Sequence, residues 1–357
     1  MIYSEDERAL IWLCACTGLD RRVCAALLRA APSPVILFRD FEKFFEEVVK
    51  TTEIGVYKKG ISSREGEIED FLAALDKKGY FAVTVLSEDY PEALKAADPP
   101  IVLYGVGRRE LLKERKFCIV GSRLTPPWAA KRGQALSERL SGRFAIVTGL
   151  AEGGDLAAIR GALPSGKLIC VLPHGLDECY PAAHASYKEE IRKKGLLLSE
   201  YLPAEKTKKY NFAARNRILA GLSEGVLVLS AGKRSGALMT AGYAAEFGRD
   251  VFAFPYSLGT AQGEGCNELI KHGAYLCTGE EDVFECYGMA PQSKPQVPLS
   301  EEEARVLDVL QDGEEQHAAI IAERAGLQIY EITAVLSALE LKGLAVKLGG
   351  NRYQALK

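Results

Sequence analysis

Between Phe81 and Cys286 the chain alternates short apolar runs with amphipathic stretches. The runs are FAVTVL, FCIVG, AIVTG, KLICVLP, LLLSE, GVLVLS and DVFAFP. Each is too short for a helix and long enough for a buried strand. Their apolar residues are continuous rather than alternating, which predicts strands covered on both faces. Stretches between them, such as WAAKRGQALSERLSG and GALMTAGYAAEFG, carry a helical pattern. This segment therefore reads as α/β, with a mostly parallel sheet between helical layers. Ligands of such sheets bind in the loops after the carboxyl ends of the strands.

The flanks are patterned differently. Residues 1–80 read as short helices: ERALIWLCACTGL, RRVCAALLRA, FEKFFEEVVK and REGEIEDFLAALDKKG. The turn CTGLDRR between the first two is a degenerate helix-hairpin-helix turn, in which Gly18 alone remains of the usual glycine pair. Residues 288–299 (GMAPQSKPQVPL) hold three prolines and no apolar period, as a linker does. Residues 300–357 then show three helical patterns and a short hairpin, the outline of a winged helix. The expected organisation is a helical domain over 1–80 (SAM- or helix-hairpin-helix-like), an α/β domain over 81–287, a linker over 288–299 and a winged helix over 300–357.

Composition adds little to this picture and removes some alternatives. With 48% apolar and 26% charged residues the chain is ordinary for a soluble globular protein. It has no run of about 18 apolar residues, so no membrane span or membrane partner is expected. The opening MIYSEDERAL lacks the basic and apolar regions of a signal peptide, so a cytoplasmic protein is expected. The nine cysteines are scattered, without a C-x-x-C pair, and read as free thiols rather than a zinc site.

Net charge is −3, yet residues 202–249 carry eight basic against three acidic side chains, a candidate anion footprint. The C-terminal module has the opposite balance, with six basic and ten acidic residues from Leu299 onward. The helix in the recognition position, QIYEITAVLSALELKG, holds one lysine, at its end. A helix that reads duplex DNA needs donors to base edges and phosphates. The wing is therefore expected to contact protein, which argues against a transcription factor.

The strand-end loops carry the candidate chemistry. In FCIVGSRLTPP, Gly121 permits close backbone approach, Ser122 offers a hydroxyl and Arg123 a fork of donors, suited to a phosphate or carboxylate. It is neither a G-x-G-x-x-G loop nor a Walker A loop. In VTGLAEGGDLAA, Gly149, Gly153 and Gly154 bracket a bend, and Asp155 stands where it can cap the next helix or meet a ligand. VLPHGLDECYPAAH holds His174, Asp177 and His184 without metal-ligand spacing, and Asp177 reads as a turn or cap residue. Ser235 and Gly236 open the helix of SGALMTAGYAAEFG. The densest stretch is KKYNFAARNRILAGLS, with Lys208, Lys209, Asn211, Phe212, Arg215, Asn216 and Arg217 at a helix start near Phe212. Ile218, Leu219 and Leu222 form the buried stripe of that helix. Arg215 and Arg217 point about 200° apart, so one is expected to reach the loops above the sheet and the other to make an internal salt bridge. An aromatic flanked by cations suits a single nucleic-acid strand: bases stack on the ring and the cations hold phosphates.

Seven motifs in order, IVGSR, TGLAEGGD, GLDECYP, LLSEY, NFAARNRILAGLS, SGALMTA and GCNELIKHGA, with YPEALKAADPPIVLYGVG upstream, resemble the DNA-processing protein A family (DprA, also called Smf). The resemblance covers about residues 80–287, and the flanking domains by type. It implies an extended Rossmann-like domain that binds single-stranded DNA without sequence preference, with no catalysis and no cofactor. It further implies a role in natural transformation, protecting incoming strands and helping load the RecA recombinase, and a homodimer formed through the Rossmann-like domain. It assigns DNA contact to Arg123, Lys209, Phe212 and Arg215, with Asn216 and Arg217 building the pocket. Gly121, Ser122, Lys208, Asn211, Ser235 and Gly236 complete the expected DNA-binding set, and Gly149, Gly153, Gly154, Asp155 and Thr240 are expected to shape it. The chain departs from the family in three places. The family's glycine-isoleucine-aspartate is Gly153-Gly154-Asp155, its histidine four residues later is Ile159, and its asparagine-rich turn after tyrosine-proline is AAHAS. That histidine's role is therefore not carried over. A competing reading is a phosphoribohydrolase-like enzyme on nucleotides, from Thr240 and Glu246 in that family's order, but the doubled glycine before the threonine is missing.

Overall fold

The apolar runs pair into one sheet, flanked in the chain by the helices the pattern predicts. The structure, a computed structural model, describes residues 3–48, 64–290, 299–310 and 315–356. The amino-terminal helices are α1 (Glu5–Ala15), α2 (Arg21–Ala30), α3 (Pro34–Arg39), α4 (Phe41–Val48) and α5 (Arg64–Lys77). Next come β1 (Phe81–Thr84), α6 (Glu92–Lys95), β2 (Val102–Gly107), β3 (Lys116–Val120), α7 (Pro127–Leu140), β4 (Ala145–Thr148) and α8 (Gly154–Ala162). The domain continues with β5 (Leu168–Leu172), α9 (Ala185–Lys194), β6 (Leu196–Ser199), α10 (Asn211–Leu222), β7 (Gly225–Val228) and α11 (Gly236–Glu246). It closes with β8 (Asp250–Ala253), α12 (Glu264–Lys271), β9 (Tyr275–Leu276) and α13 (Glu280–Cys286).

The strand order is β1-β2-β6-β5-β4-β3-β7-β8-β9. From β6 to β9 all neighbours are parallel, and β1 and β2 add an antiparallel edge. The fold is thus α/β with the mostly parallel sheet read from the pattern. Two strands escaped that reading. In β2 the glycines at 105 and 107 hide the run; Gly105 sits opposite Phe81, where a Cβ would meet the Phe81 ring at 2.6 Å. The other, β9, is two exposed residues long. Chain order reverses between β3 and β7, so their loops leave toward opposite faces and open the crevice where such sheets bind ligands.

Two apolar cores cover the sheet. One joins Leu136 and Leu140 of α7 and Ala158 of α8 to Phe117, Ile146 and Phe252. The other joins Ile218, Leu219 and Leu222 of α10 and Ala241 of α11 to Val120, Val147, Val171 and Val226. The predicted stripe of α10 is therefore the one that meets the sheet. The first core also includes Leu10, Ile11, Trp12 and Leu13 of α1 and Phe41 of α4, beside Tyr104 of β2. The expected boundary at residue 80 is accordingly not a break in packing: residues 1–289 form one compact unit, and the helices cover the β1-β2 end of the sheet. Ser4 and Glu7 close a capping box at α1. Asp20 caps α2 through bonds from Arg22 N (2.8 Å) and Val23 N (3.1 Å). In the helix-hairpin-helix-like turn Gly18, Asp20, Arg21 and Arg22 are exposed, and Arg21 is occupied by Asp98 and lies 3.5 Å from Glu200.

Residues 290–357 form a second unit, and most of the expected linker lies outside the described residues. It contains α14 (Glu301–Leu310), β10 (Gln316–His317), α15 (Ala318–Ala325), α16 (Ile329–Leu341), β11 (Ala345–Leu348) and β12 (Arg352–Ala355). Val306, Leu310, Ile321, Ile332, Leu336 and Leu339 pack beneath the three-stranded sheet β10-β12-β11, a winged helix. Among the described residues no helix is long and apolar enough to cross a membrane.

Candidate nucleic-acid interface

The loops after β3, β4 and β5 and the first turn of α10 converge on one notch of about 70 Å³. Its lining includes Arg123, Leu150, Glu152, Tyr180, Phe212 and Arg215. Phe212 stands at the rim. The Tyr180 ring meets it edge-on at 5.8 Å, and the exposed Arg123 guanidinium rests 5.4 Å from its centroid. Glycine is required where the loops cross. Gly154 lies so close to Gly121 that a Cβ would sit 2.6 Å from the Gly121 nitrogen, and Gly153 takes φ 74° while touching the Ser122 carbonyl. Gly121, Gly153 and Gly154 thus act by letting two backbones touch, with Gly154 N donating to Ser122 O at 3.2 Å. Gly154→Ala should cost about 1–3 kcal/mol of stability, because its neighbour is backbone and cannot swing aside; urea denaturation measures this.

Arg215 and Arg217 are both buried, although the resemblance assigns DNA contact to Arg215. Their helix has a second covered side, so pointing away from the sheet does not mean pointing into water. Arg215 reaches over the sheet top and donates to Val171 O, with Nε bonded to Asn216 Oδ1 at 3.2 Å. It passes beside Asp155 above Gly149, where any side chain would strike both. Burial pushes the Asp155 carboxyl up and the Arg215 guanidinium down, and each charge offsets part of the other's shift. Arg217 goes the other way, holding both Glu200 oxygens at 2.6 Å and donating to Asp98 O. Arg215 is therefore a floor residue of the notch, and Arg217 a structural cross-link, as the internal-salt-bridge reading has it.

Several other expected contacts are turned inward as well. Asn211 is fully buried, its amide donating to Pro173 O at 3.0 Å. Asn216 Nδ2 donates to Gly236 O at 3.2 Å, tying α10 to α11. The Ser122 hydroxyl accepts from Leu124 N at 3.1 Å and so shapes its own turn. Ser235 caps α11, and Thr240 is buried in α11 away from the notch. Asp155 does not cap α8, whose N-cap is Gly153; its carboxylate instead accepts from Ala151 N at 3.4 Å. Asp177 lies in a turn, as one of its two readings has it, and receives Lys78 Nζ at 2.7 Å and the Tyr80 hydroxyl at 3.0 Å. His184 Nδ1 donates to Leu150 O at 3.0 Å and steadies the rim.

Exposed cations and aromatics remain around the notch. Lys208 pairs with Glu205 at 3.1 Å and lies 5.9 Å from the Tyr210 ring, while Lys209 is exposed. Tyr180 (43% exposed) and Tyr210 (66%) are the aromatic surfaces that sequence reasoning missed. Tyr180 was signalled by the tyrosine-proline pair in a strand-end loop, and Tyr210 by its place between the lysines and Phe212. Among the described residues no group of three or more His, Cys, Asp or Glu is arranged to hold a metal.

The fold and site define the class as a Rossmann-like α/β protein with a cation-rimmed aromatic notch at the carboxyl ends of its strands. The chain belongs to the DNA recombination-mediator protein A family, whose family model matches residues 81–288; a DprA winged helix domain model matches residues 290–351. The chain is 41% identical over 220 residues to the DNA processing protein DprA of Streptococcus pneumoniae, covering 61% of this chain and 78% of that protein. It is 36% identical over 297 residues to the Smf protein of Escherichia coli, covering 79% of each. The X-ray structure of the Streptococcus pneumoniae protein superposes with a TM-score of 0.62 at 34% identity, over 80% of this chain and 98% of that one. A Helicobacter pylori DNA processing protein A, described for its unique single-stranded DNA binding mode, superposes with a TM-score of 0.53 at 32% identity, over 58% of this chain and 95% of that one.

Proposed function

We propose that this chain is a cytoplasmic, sequence-independent single-stranded DNA-binding protein that mediates recombination by binding rather than catalysis. The observation that carries the reading is the Phe212 ring at the notch rim, with Tyr180 against its edge and Arg123 on its face. A cation–π contact at an exposed site is worth about 0.5–1 kcal/mol, and base stacking on an aromatic about 1–3 kcal/mol. A base therefore displaces the guanidinium, which turns to a phosphate. Lys209 takes a neighbouring phosphate, and exposed Glu152 keeps the backbone to the Arg123 side. Arg215 supplies positive potential from the floor. The relatives' DNA-processing names and the single-strand binding described for the Helicobacter pylori protein support the same reading. We extend it to the family's implied roles, natural transformation, RecA loading and a homodimer through the Rossmann-like domain.

Affinity for labelled single strands should fall with salt at a slope of about −0.7 per phosphate neutralised. Phe212→Ala should cost about 1–3 kcal/mol of binding, read by fluorescence anisotropy. Unchanged affinity in that variant would remove the stacking role. The winged helix contributes no duplex readout in this scheme. Its α16 presents Ile329 and Tyr330, both exposed, rather than cations, so random and defined duplexes should compete equally for the full chain.

The phosphoribohydrolase-like alternative is not favoured. Thr240 is buried, Glu246 is exposed at the last position of α11, and a 70 Å³ notch is far below the roughly 300–1,000 Å³ of small-molecule sites. Release of free base from nucleoside monophosphates by the purified chain would restore it.

A further inference from the structure

Trp128 opens α7 five residues after Arg123, and it is half exposed. An indole is an expensive side chain to leave in water, and here it is held in place. Its ring stacks at 6.1 Å on Phe254 and meets Tyr256 at 5.0 Å. Tyr256 is itself fixed: its hydroxyl donates to Leu229 O at 2.7 Å, and its backbone exchanges two bonds with the Asn267 amide, at 3.0 and 2.9 Å. The supporting rings follow β8, whereas the Phe212 notch lies over β3, β4 and β5. In the strand order these are opposite sides of the β3-β7 crevice. Between them the loops are bridged, with Ser122 N donating to Ser230 O at 2.9 Å and the Thr125 and Ser230 hydroxyls 2.6 Å apart.

Cations accompany the indole. Lys131 and Arg132 follow it by three and four residues, hence on the same helix face, and both are exposed. Arg234, also exposed, sits in the loop after β7, which shares the crevice. Lys131 and Arg234 have no ion-pair partner among the described residues, while Lys233 next to Arg234 lies 3.7 Å from Glu264. Arg132 is engaged, donating to Thr278 O at 2.8 Å, which leaves Lys131 on the helix and Arg234 in the loop after β7. A half-exposed, held aromatic with such cations in neighbouring segments is an arrangement that stacks a base and holds its phosphates. An apolar protein partner would gain nothing from these cations.

We propose that Trp128 is a second base-stacking subsite, so that one single strand runs from the Phe212 notch across the Ser122–Ser230 bridge to the indole. Arg123, whose guanidinium lies 5.4 Å from the Phe212 ring centroid, is five residues from Trp128, a span of at most about 18 Å, so the two rings engage bases a few nucleotides apart. The inference rests on the single-strand reading above and adds the path of the strand along the sheet top.

The two tryptophans make the test direct, because Trp12 is buried and Trp128 supplies the solvent-facing emission. The full chain is titrated with oligothymidylates of increasing length at low salt. Anisotropy of the labelled oligonucleotide reads binding, and tryptophan emission reads stacking. Emission should be quenched, and only by strands longer than the shortest that bind. Trp128→Ala should weaken long strands about five- to 150-fold and leave the shortest unaffected, while Trp128→Phe keeps most of the affinity. Melting curves check that the variants fold. Saturated binding at every length without quenching overturns the subsite and leaves the single-strand function standing. Absence of binding in the anisotropy channel overturns both.

Discussion

Reversing Arg123 and Lys209 together to glutamate should reduce single-strand affinity at least about a hundredfold at physiological salt and flatten the salt slope by about 1.4. Both side chains are exposed at the notch rim or beside it, and neither has an ion-pair partner among the described residues, so their charge is available to phosphates. Each reversal removes an attraction and installs a repulsion, which near a phosphate chain costs several kcal/mol in all. The fold should be indifferent, because surface substitutions away from special features usually change stability by less than about 0.5 kcal/mol. Anisotropy titrations across salt, with a melting curve beside them, check both halves. Wild-type-like binding by a folded double variant would sink the pocket assignment. The same variant separates charge from stacking, since it leaves the Phe212 ring in place.

Removing Arg217 should do the reverse. Arg217→Ala is expected to destabilise the domain by about 3–5 kcal/mol, with little change in the affinity of the protein that remains folded. Its side chain is 3% exposed and that of Glu200 is 14%, so truncation strands a carboxylate out of water. Arg21, 3.5 Å from Glu200, is placed to relieve part of that cost, and an Arg21→Ala, Arg217→Ala pair should therefore lose more than the sum of the single changes. Urea unfolding measures the loss. If Arg217→Ala instead unfolds at the wild-type midpoint and binds DNA poorly, Arg217 belongs to the interface and the division between the two arginines is wrong.

That division shows how far pattern reading reaches. The runs AIVTG, KLICVLP and GVLVLS became β4, β5 and β7 within a residue or two, because a strand buried on both faces leaves a continuous apolar signature. β2 was lost because two glycines interrupt its run. The amino-terminal helices were legible one by one, but their shared core with Tyr104 was not, since nothing in a helix's own pattern names the surface it will cover. At the site, Arg123, Lys209 and Phe212 are exposed or half-exposed at or beside the notch. Asn211 is buried rather than exposed because a polar side chain reads the same in sequence whether it meets water or a buried carbonyl, whereas Asn216, bonded to Arg215 and to Gly236 O, sits as a pocket-building residue would. Tyr180 was missed because it arrives from a different loop and meets Phe212 only in three dimensions.

By itself the sequence determined the strand-helix alternation, the family, and the cationic stretch at the start of α10, because each is written in local spacing and residue type. The tertiary structure decided that α10 is covered on both sides, that Arg215 therefore lies beneath the notch and Arg217 is locked to Glu200, and that Trp128 stands beyond the β3-β7 crevice. Helical spacing sets the angle between two side chains, but the dielectric each enters depends on what packs against the helix from elsewhere in the chain.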